Sequence, residues 1–128
     1  MYSESYRLLN LTGKTLIMSK TLAILDLEKA LQIVANNRDL ADELLTMLIK
    51  AIPEYRQHIN EQVQVSRESL KLIIHKIHGG LRYIGAPALE EIIHKTNNNL
   101  FELSEDDLQQ QIELIFMEFD RLLKEEKY

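Results

Sequence analysis

The sequence contains no cysteine, which excludes disulfide scaffolds, Cys-ligated zinc, iron–sulfur clusters and thiol nucleophiles. With 4 glycines and 2 prolines in 128 residues, it has too few turn-formers for an all-β sandwich. Basic charge is also in deficit. Fifteen Lys and Arg against 20 Asp and Glu leave a net charge of −5 with neutral histidines, which disfavours nucleic-acid binding by bulk electrostatics, since phosphate contacts need clustered cations. No apolar run approaches the ~20 residues of a membrane span. The start, Met1-Tyr2-Ser3-Glu4-Ser5-Tyr6-Arg7, lacks the basic and apolar regions of a secretory signal. What is present is 45% hydrophobic and 27% charged residues, the balance of one soluble domain with its own core.

Residues 1–25 carry scattered Leu and Ile with Gly13 and several Ser and Thr. They read as a leader, a linker remnant or a short helix packed on the domain. From Asp26 helical periodicity takes over. Asp26 is a candidate N-cap for a short helix with Leu27, Ala30, Leu31 and Val34 at i, i+3, i+4 and i+7. Asn36-Asn37-Arg38 breaks that pattern, and Asp39 offers the next N-cap. The second stripe is Leu44, Leu48, Ile52, Tyr55, Ile59 and Val63, with Pro53 inside it and expected to kink the helix. Ser66 caps a third helix with Leu70, Ile73, Ile74, Ile77, Leu81 and Ile84, which Gly85 stops or interrupts. Pro87 suits the first turn of a fourth, bearing Leu89, Ile92, Ile93, Thr96 and Leu100. Ser104 and Asp107 form a near capping box for a fifth, with Leu108, Ile112, Ile115, Phe119 and Leu122. The expected fold is all-α: an antiparallel four-helix bundle over 26–128 with an additional short N-terminal helix.

The informative segment is His75-Lys76-Ile77-His78-Gly79-Gly80-Leu81-Arg82-Tyr83-Ile84-Gly85. At 3.6 residues per turn His75 lies about 150° from the centre of the apolar stripe, so it faces solvent or a partner. Lys71, Lys76, His78 and Arg82 form a basic fringe around it. Glycine inside a helix costs about 1 kcal/mol relative to alanine. A helical side chain leans back over the preceding turn, so a larger residue at 79 would cover the His75 imidazole. Gly79 leaves that ring bare, and Gly80 loosens the same turn. A neutral imidazole nitrogen is a nucleophile near neutral pH without a dedicated base. If it attacked a phosphoryl group, the negative product would sit beside Lys71, Lys76 and Arg82. Against this stands the plain alternative of a surface histidine beside tolerated glycines.

The run His75-x-x-His78-Gly79-(five residues)-Gly85 resembles the signature of histidine-containing phosphotransfer (HPt) domains, His-x-x-Lys-Gly-(five residues)-Gly. With Leu40-Ala41-Asp42-Glu43-Leu44-Leu45, Ile52-Pro53-Glu54-Tyr55-Arg56 and Tyr83-Ile84-Gly85-Ala86-Pro87, it resembles the C-terminal HPt domains of BarA-type hybrid sensor kinases over about 100 residues. The resemblance implies an antiparallel four-helix bundle in which His75 is phosphorylated and Gly79 opens its face. It places Gly85 at the turn ending the third helix. His78 departs from the family lysine and is charged only part of the time, so its help in holding phosphate would be weaker or pH-dependent.

The resemblance further implies a phosphorelay intermediate: His75 takes a phosphoryl group from a receiver-domain aspartate and passes it to a response-regulator aspartate. The partners implied are the receiver domain of a hybrid sensor kinase and a response regulator, with no nucleic acid and no membrane insertion. Magnesium would be supplied by the receiver, and this chain would need no cofactor. The expected location is the cytoplasm, free or as the C-terminal domain of a membrane-anchored sensor kinase. No Gly-rich P-loop is present, so autonomous kinase activity is not expected. Two rival readings are a non-catalytic helical adaptor docking through the same face, and a metal- or haem-binding bundle. For the latter, Glu91-Ile92-Ile93-His94 is a single Glu-x-x-His where a di-iron bundle needs two and further carboxylates, and His75 with His78 lacks a fixed third ligand. His58 reads as solvent-side, and Glu105-Asp106-Asp107 as a helix N-terminus. Leu72 and Tyr83 leave the main stripe, to be covered by the N-terminal segment or to flank His75.

Overall fold

The computed structural model describes the backbone of residues 5–9 and 15–19 and every residue from Leu22 to Tyr128. Strand β1 (Ser5–Leu9) pairs antiparallel with β2 (Thr15–Ser19), setting Tyr6 opposite Met18 and Leu8 opposite Leu16. These strands stand where a short helix was one of the expected alternatives. The short helix expected from Asp26 onward is α1 (Leu27–Ile33), capped by the Asp26 side chain, which accepts from the Lys29 N–H.

Four longer helices follow: α2 (Arg38–Val63), α3 (Arg67–Leu81), α4 (Pro87–Asn99) and α5 (Glu105–Glu125). Consecutive helices pack against each other and α5 closes back on α2, while α1 lies on α2. This is the expected all-α four-helix bundle with one extra short helix. The caps explain the starts. Asn37, rather than Asp39, caps α2 by accepting from the Leu40 N–H; Asp39 sits in the first turn, where its charge favours the helix dipole. Ser66 accepts from Ser69 N–H and Ser104 from Asp107 N–H, as their positions in the sequence indicate. Pro87 occupies the first turn of α4. Helix α2 runs through Pro53, which cannot donate to the Ile49 carbonyl.

The stripes meet in one core. Ile52, Ile59, Leu70, Ile74, Leu81, Ile93, Leu100, Ile115, Phe119 and Leu122 are fully buried. Each such side chain contributes about 1.5–3 kcal/mol on leaving water. Leu44, Tyr55, Val63 and Ile92 pack at its margin.

Two connections hold the ends of the site helix. Helix α3 stops at Leu81, four residues before Gly85, with Arg82 as its C-cap and the Arg82 N–H bonded to the Gly79 carbonyl. Gly85 therefore does not end the helix. It lies in the α3–α4 loop, where an added Cβ would be 2.2 Å from the Asp26 carbonyl oxygen and 3.0 Å from the Ala30 nitrogen. Its carbonyl accepts from the Asp26 N–H at 2.8 Å, and its own N–H donates to the Tyr128 hydroxyl at 3.0 Å. The start of α1, the α3–α4 loop and Tyr128 are thus joined at one glycine. At the other end of the bundle, α3 supplies two cations to the last turn of α4: Arg67 donates to the Leu100 carbonyl and Lys71 to the Asn97 carbonyl. These bonds satisfy carbonyls that a helix C-terminus leaves unpaired.

Candidate functional site

His75 stands on the outward face of α3, exposed, with Ile73, Ile74 and Ile77 carrying the buried face around it. Its ring makes no hydrogen bond or ion pair among the described residues, so the nitrogen lone pair is available to an incoming electrophile. A Cβ built at Gly79 would meet nothing within 4 Å. Packing therefore gives no reason for glycine there, and the surface over the next turn of helix is open. Gly80 differs. Its added Cβ would lie 3.7 Å from the Tyr55 hydroxyl, an ordinary contact that alanine would tolerate. Burial, and secondarily Glu54, raises the Tyr55 pKa, keeping that phenol protonated at neutral pH.

The basic fringe divides. Lys76 and Arg82 are exposed and enter no ion pair among the described residues. Lys76 also lines a groove of about 350 Å³ between α2 and α3, with His58, Gln62, Ser69, Leu72 and Ile73. Lys71 is drawn away toward α4, bonded to the Asn97 carbonyl with its ammonium 6.0 Å from the Phe101 ring. Its charge is spent on capping a helix. Leu72 on α3, at 75% exposure, and Tyr83 just past its end, at 59%, are exposed apolar side chains. Half-buried His58 reaches Glu54 at 3.8 Å.

His78 is half-buried, and its ring lies against that of His94 on α4, with centroids 5.2 Å apart. Burial lowers its pKa first, then the neighbouring His94 and Arg82; Glu90 opposes them. The His94 partnership is not legible in the sequence, because α3 and α4 meet there through tertiary packing alone. Among the described residues, no group of three or more His, Cys, Asp or Glu is placed to hold a metal.

The family model described as the Hpt domain matches residues 43–126. The chain belongs to the Hpt domain family. As an HPt domain it is a phosphorelay module of two-component signalling. It is 33% identical over 105 residues to the signal transduction histidine-protein kinase BarA of Escherichia coli K12, covering 80% of this chain and 11% of that protein. It is 30% identical over 81 residues to the sensor histidine kinase GacS of Pseudomonas protegens, covering 62% of this chain and 9% of the relative. The chain thus spans about a tenth of the length of these relatives. Its fold is shared with the HPT domain of a sensor hybrid histidine kinase from Shewanella, with a TM-score of 0.72 at 24% identity over 80% of this chain and 90% of that one. Among the described residues of this HPt domain, no helix is long and apolar enough to cross a membrane.

Proposed function

We propose that His75 is the phosphoryl acceptor and donor of this HPt domain. One ring nitrogen attacks the acyl phosphate of a receiver domain, and the phosphoryl group is later passed to the aspartate of a response regulator. The observation that carries this reading is the exposed, unbonded His75 ring beside a glycine that nothing in the packing requires. Phosphoryl transfer depends chiefly on positioning and electrostatics, and a histidine held by five fully or largely buried side chains of α3 supplies the positioning. Lys76 and Arg82 supply exposed positive charge toward the transferred group, in a salt-sensitive manner. Leu72 and Tyr83 offer apolar contact to the receiver around the histidine. Magnesium and the acidic pocket belong to the receiver, and this chain contributes no cofactor. The setting is cytoplasmic, where receivers and response regulators act.

The test is transfer from a receiver domain charged by a small phosphodonor, comparing wild type with His75→Gln. Wild type should gain an acid-labile, alkali-stable phosphate and return it to a second receiver, and His75→Gln should gain none. A receiver that binds wild type and His75→Gln equally well, yet labels neither, would replace this reading with that of a docking adaptor.

A further inference from the structure

We propose that His78 of α3 and His94 of α4 together form a two-imidazole binding site for a nitrogen-preferring divalent cation of the first transition row, such as Zn²⁺. The cation would bridge the two helices. It is no part of the transfer chemistry, and the inference stands whether or not His75 carries phosphate.

The spacing of the rings carries the argument. Their centroids are 5.2 Å apart. A metal–nitrogen bond of about 2.0–2.1 Å puts each ring centroid about 3.2 Å from the metal, so two imidazoles at a tetrahedral angle have centroids about 5.2 Å apart. Their planes are inclined at 37°, which rotation about the two metal–nitrogen bonds admits. Both rings stand on rigid supports: His78 lies between buried Ile77 and Leu81, and His94 follows buried Ile93 on a helix packed against α3. The site therefore costs little ordering when a cation enters.

The surroundings suit a cation. The two rings line a cleft of about 420 Å³ that also exposes Glu90 and Glu91. Those carboxylates are engaged, Glu90 with Lys29 at 2.9 Å and Glu91 with Lys95 at 3.0 Å. They supply negative charge to the cleft, and water fills the remaining coordination positions. Burial, then His94 and Arg82, holds the His78 pKa below that of an ordinary histidine against the opposing Glu90, so the ring keeps a lone pair for a metal near neutral pH. His94 has an outer partner as well: its Nε2 lies 3.1 Å from the Asn98 side-chain amide. With its carbonyl oxygen turned inward, that amide accepts from a protonated Nε2 and leaves Nδ1 to the metal, as outer-shell groups do for ligating histidines. Imidazole donors select Zn²⁺, Ni²⁺ or Cu²⁺ over the oxygen-preferring Mg²⁺ and Ca²⁺. Two protein ligands make an exchangeable site rather than a closed structural one.

The experiment titrates the full chain with zinc chloride in excess magnesium chloride, following the 4 histidines by NMR. The ring signals of His78 and His94 should move together, with those of His58 and His75 unmoved. Because the cation joins two helices of the folded state, the thermal midpoint should rise with zinc concentration. His94→Gln, at an exposed position, should remove that rise, whereas His75→Gln should keep it. Asn98→Ala should weaken binding by about tenfold or more. Zinc that moves His75 with His78 and leaves His94 untouched would overturn the proposal in favour of a pair within α3. A folded His94→Gln protein that binds zinc as wild type does, or wild type in which neither ring responds, would overturn it too. The relay reading survives each of these failures, since none of them concerns phosphate.

Discussion

A methyl group added at Gly79 would touch nothing, whereas one added at Gly85 would lie 2.2 Å from a backbone oxygen of Asp26. The two glycines of the signature therefore answer to different constraints, and substitution separates them. Gly85→Ala should destabilise the fold by about 1–3 kcal/mol, because the start of α1 must shift to admit the methyl group. Gly79→Ala should leave stability unchanged or raise it by up to about 1 kcal/mol, the cost of helix-interior glycine. Denaturant unfolding of the two variants checks both signs. Gly79→Leu extends the argument to activity: the folded variant should transfer far more slowly, since leucine would lean over the His75 ring. Unchanged transfer by a folded Gly79→Leu protein would mean that the receiver approaches from another side.

At the scale of elements, the cations of α3 do two jobs. Arg67 and Lys71 close the C-terminus of α4, while Lys76 and Arg82 remain exposed near His75. Lys71→Met should therefore cost about 1 kcal/mol or more of stability, as a charged hydrogen bond to the Asn97 carbonyl is lost, with little change in the salt dependence of receiver binding. Arg82→Ala should do the reverse, weakening receiver binding mainly at low salt. Unfolding curves and binding isotherms at two ionic strengths distinguish the cases. Sequence periodicity made the helices legible because each core face is a simple 3.6-residue stripe: all five apolar residues of the α5 stripe, from Leu108 to Leu122, are buried. His75 was legible for the converse reason, as a residue off its stripe. Lys71 was not, since its spacing from His75 is right and only the approach of α4 diverts its ammonium. The role of Gly85 was hidden in the same way, by α1 and Tyr128 arriving from the far ends of the chain. Strands β1 and β2 were missed because five-residue strands carry too few alternations to register as a pattern.

For the whole molecule, titration should bound the stable range on both sides. His78 has a folded-state pKa below the ordinary value near 6.5, so its contribution is present above about pH 6.5 and is lost as pH falls through that value. Tyr55 and Tyr128 are raised above the ordinary tyrosine value, both mainly by burial. Their contributions are complete below about pH 10 and lost as pH rises beyond it. Thermal unfolding should show a plateau between these limits. Tyr128→Phe should lower that plateau by about 1 kcal/mol, as the Gly85 N–H loses its acceptor, and should flatten the alkaline decline. The bundle so stabilised presents four histidines in three settings: His58 beside Glu54, His78 and His94 ring against ring, and His75 alone in the open. The most direct measurement is a phosphorus–nitrogen correlated spectrum of nitrogen-15 histidine-labelled protein after transfer from a phosphorylated receiver. One phosphoramidate signal, on the His75 ring and absent from His75→Gln, is the predicted result; the same signal persisting in folded His75→Gln would contradict the account.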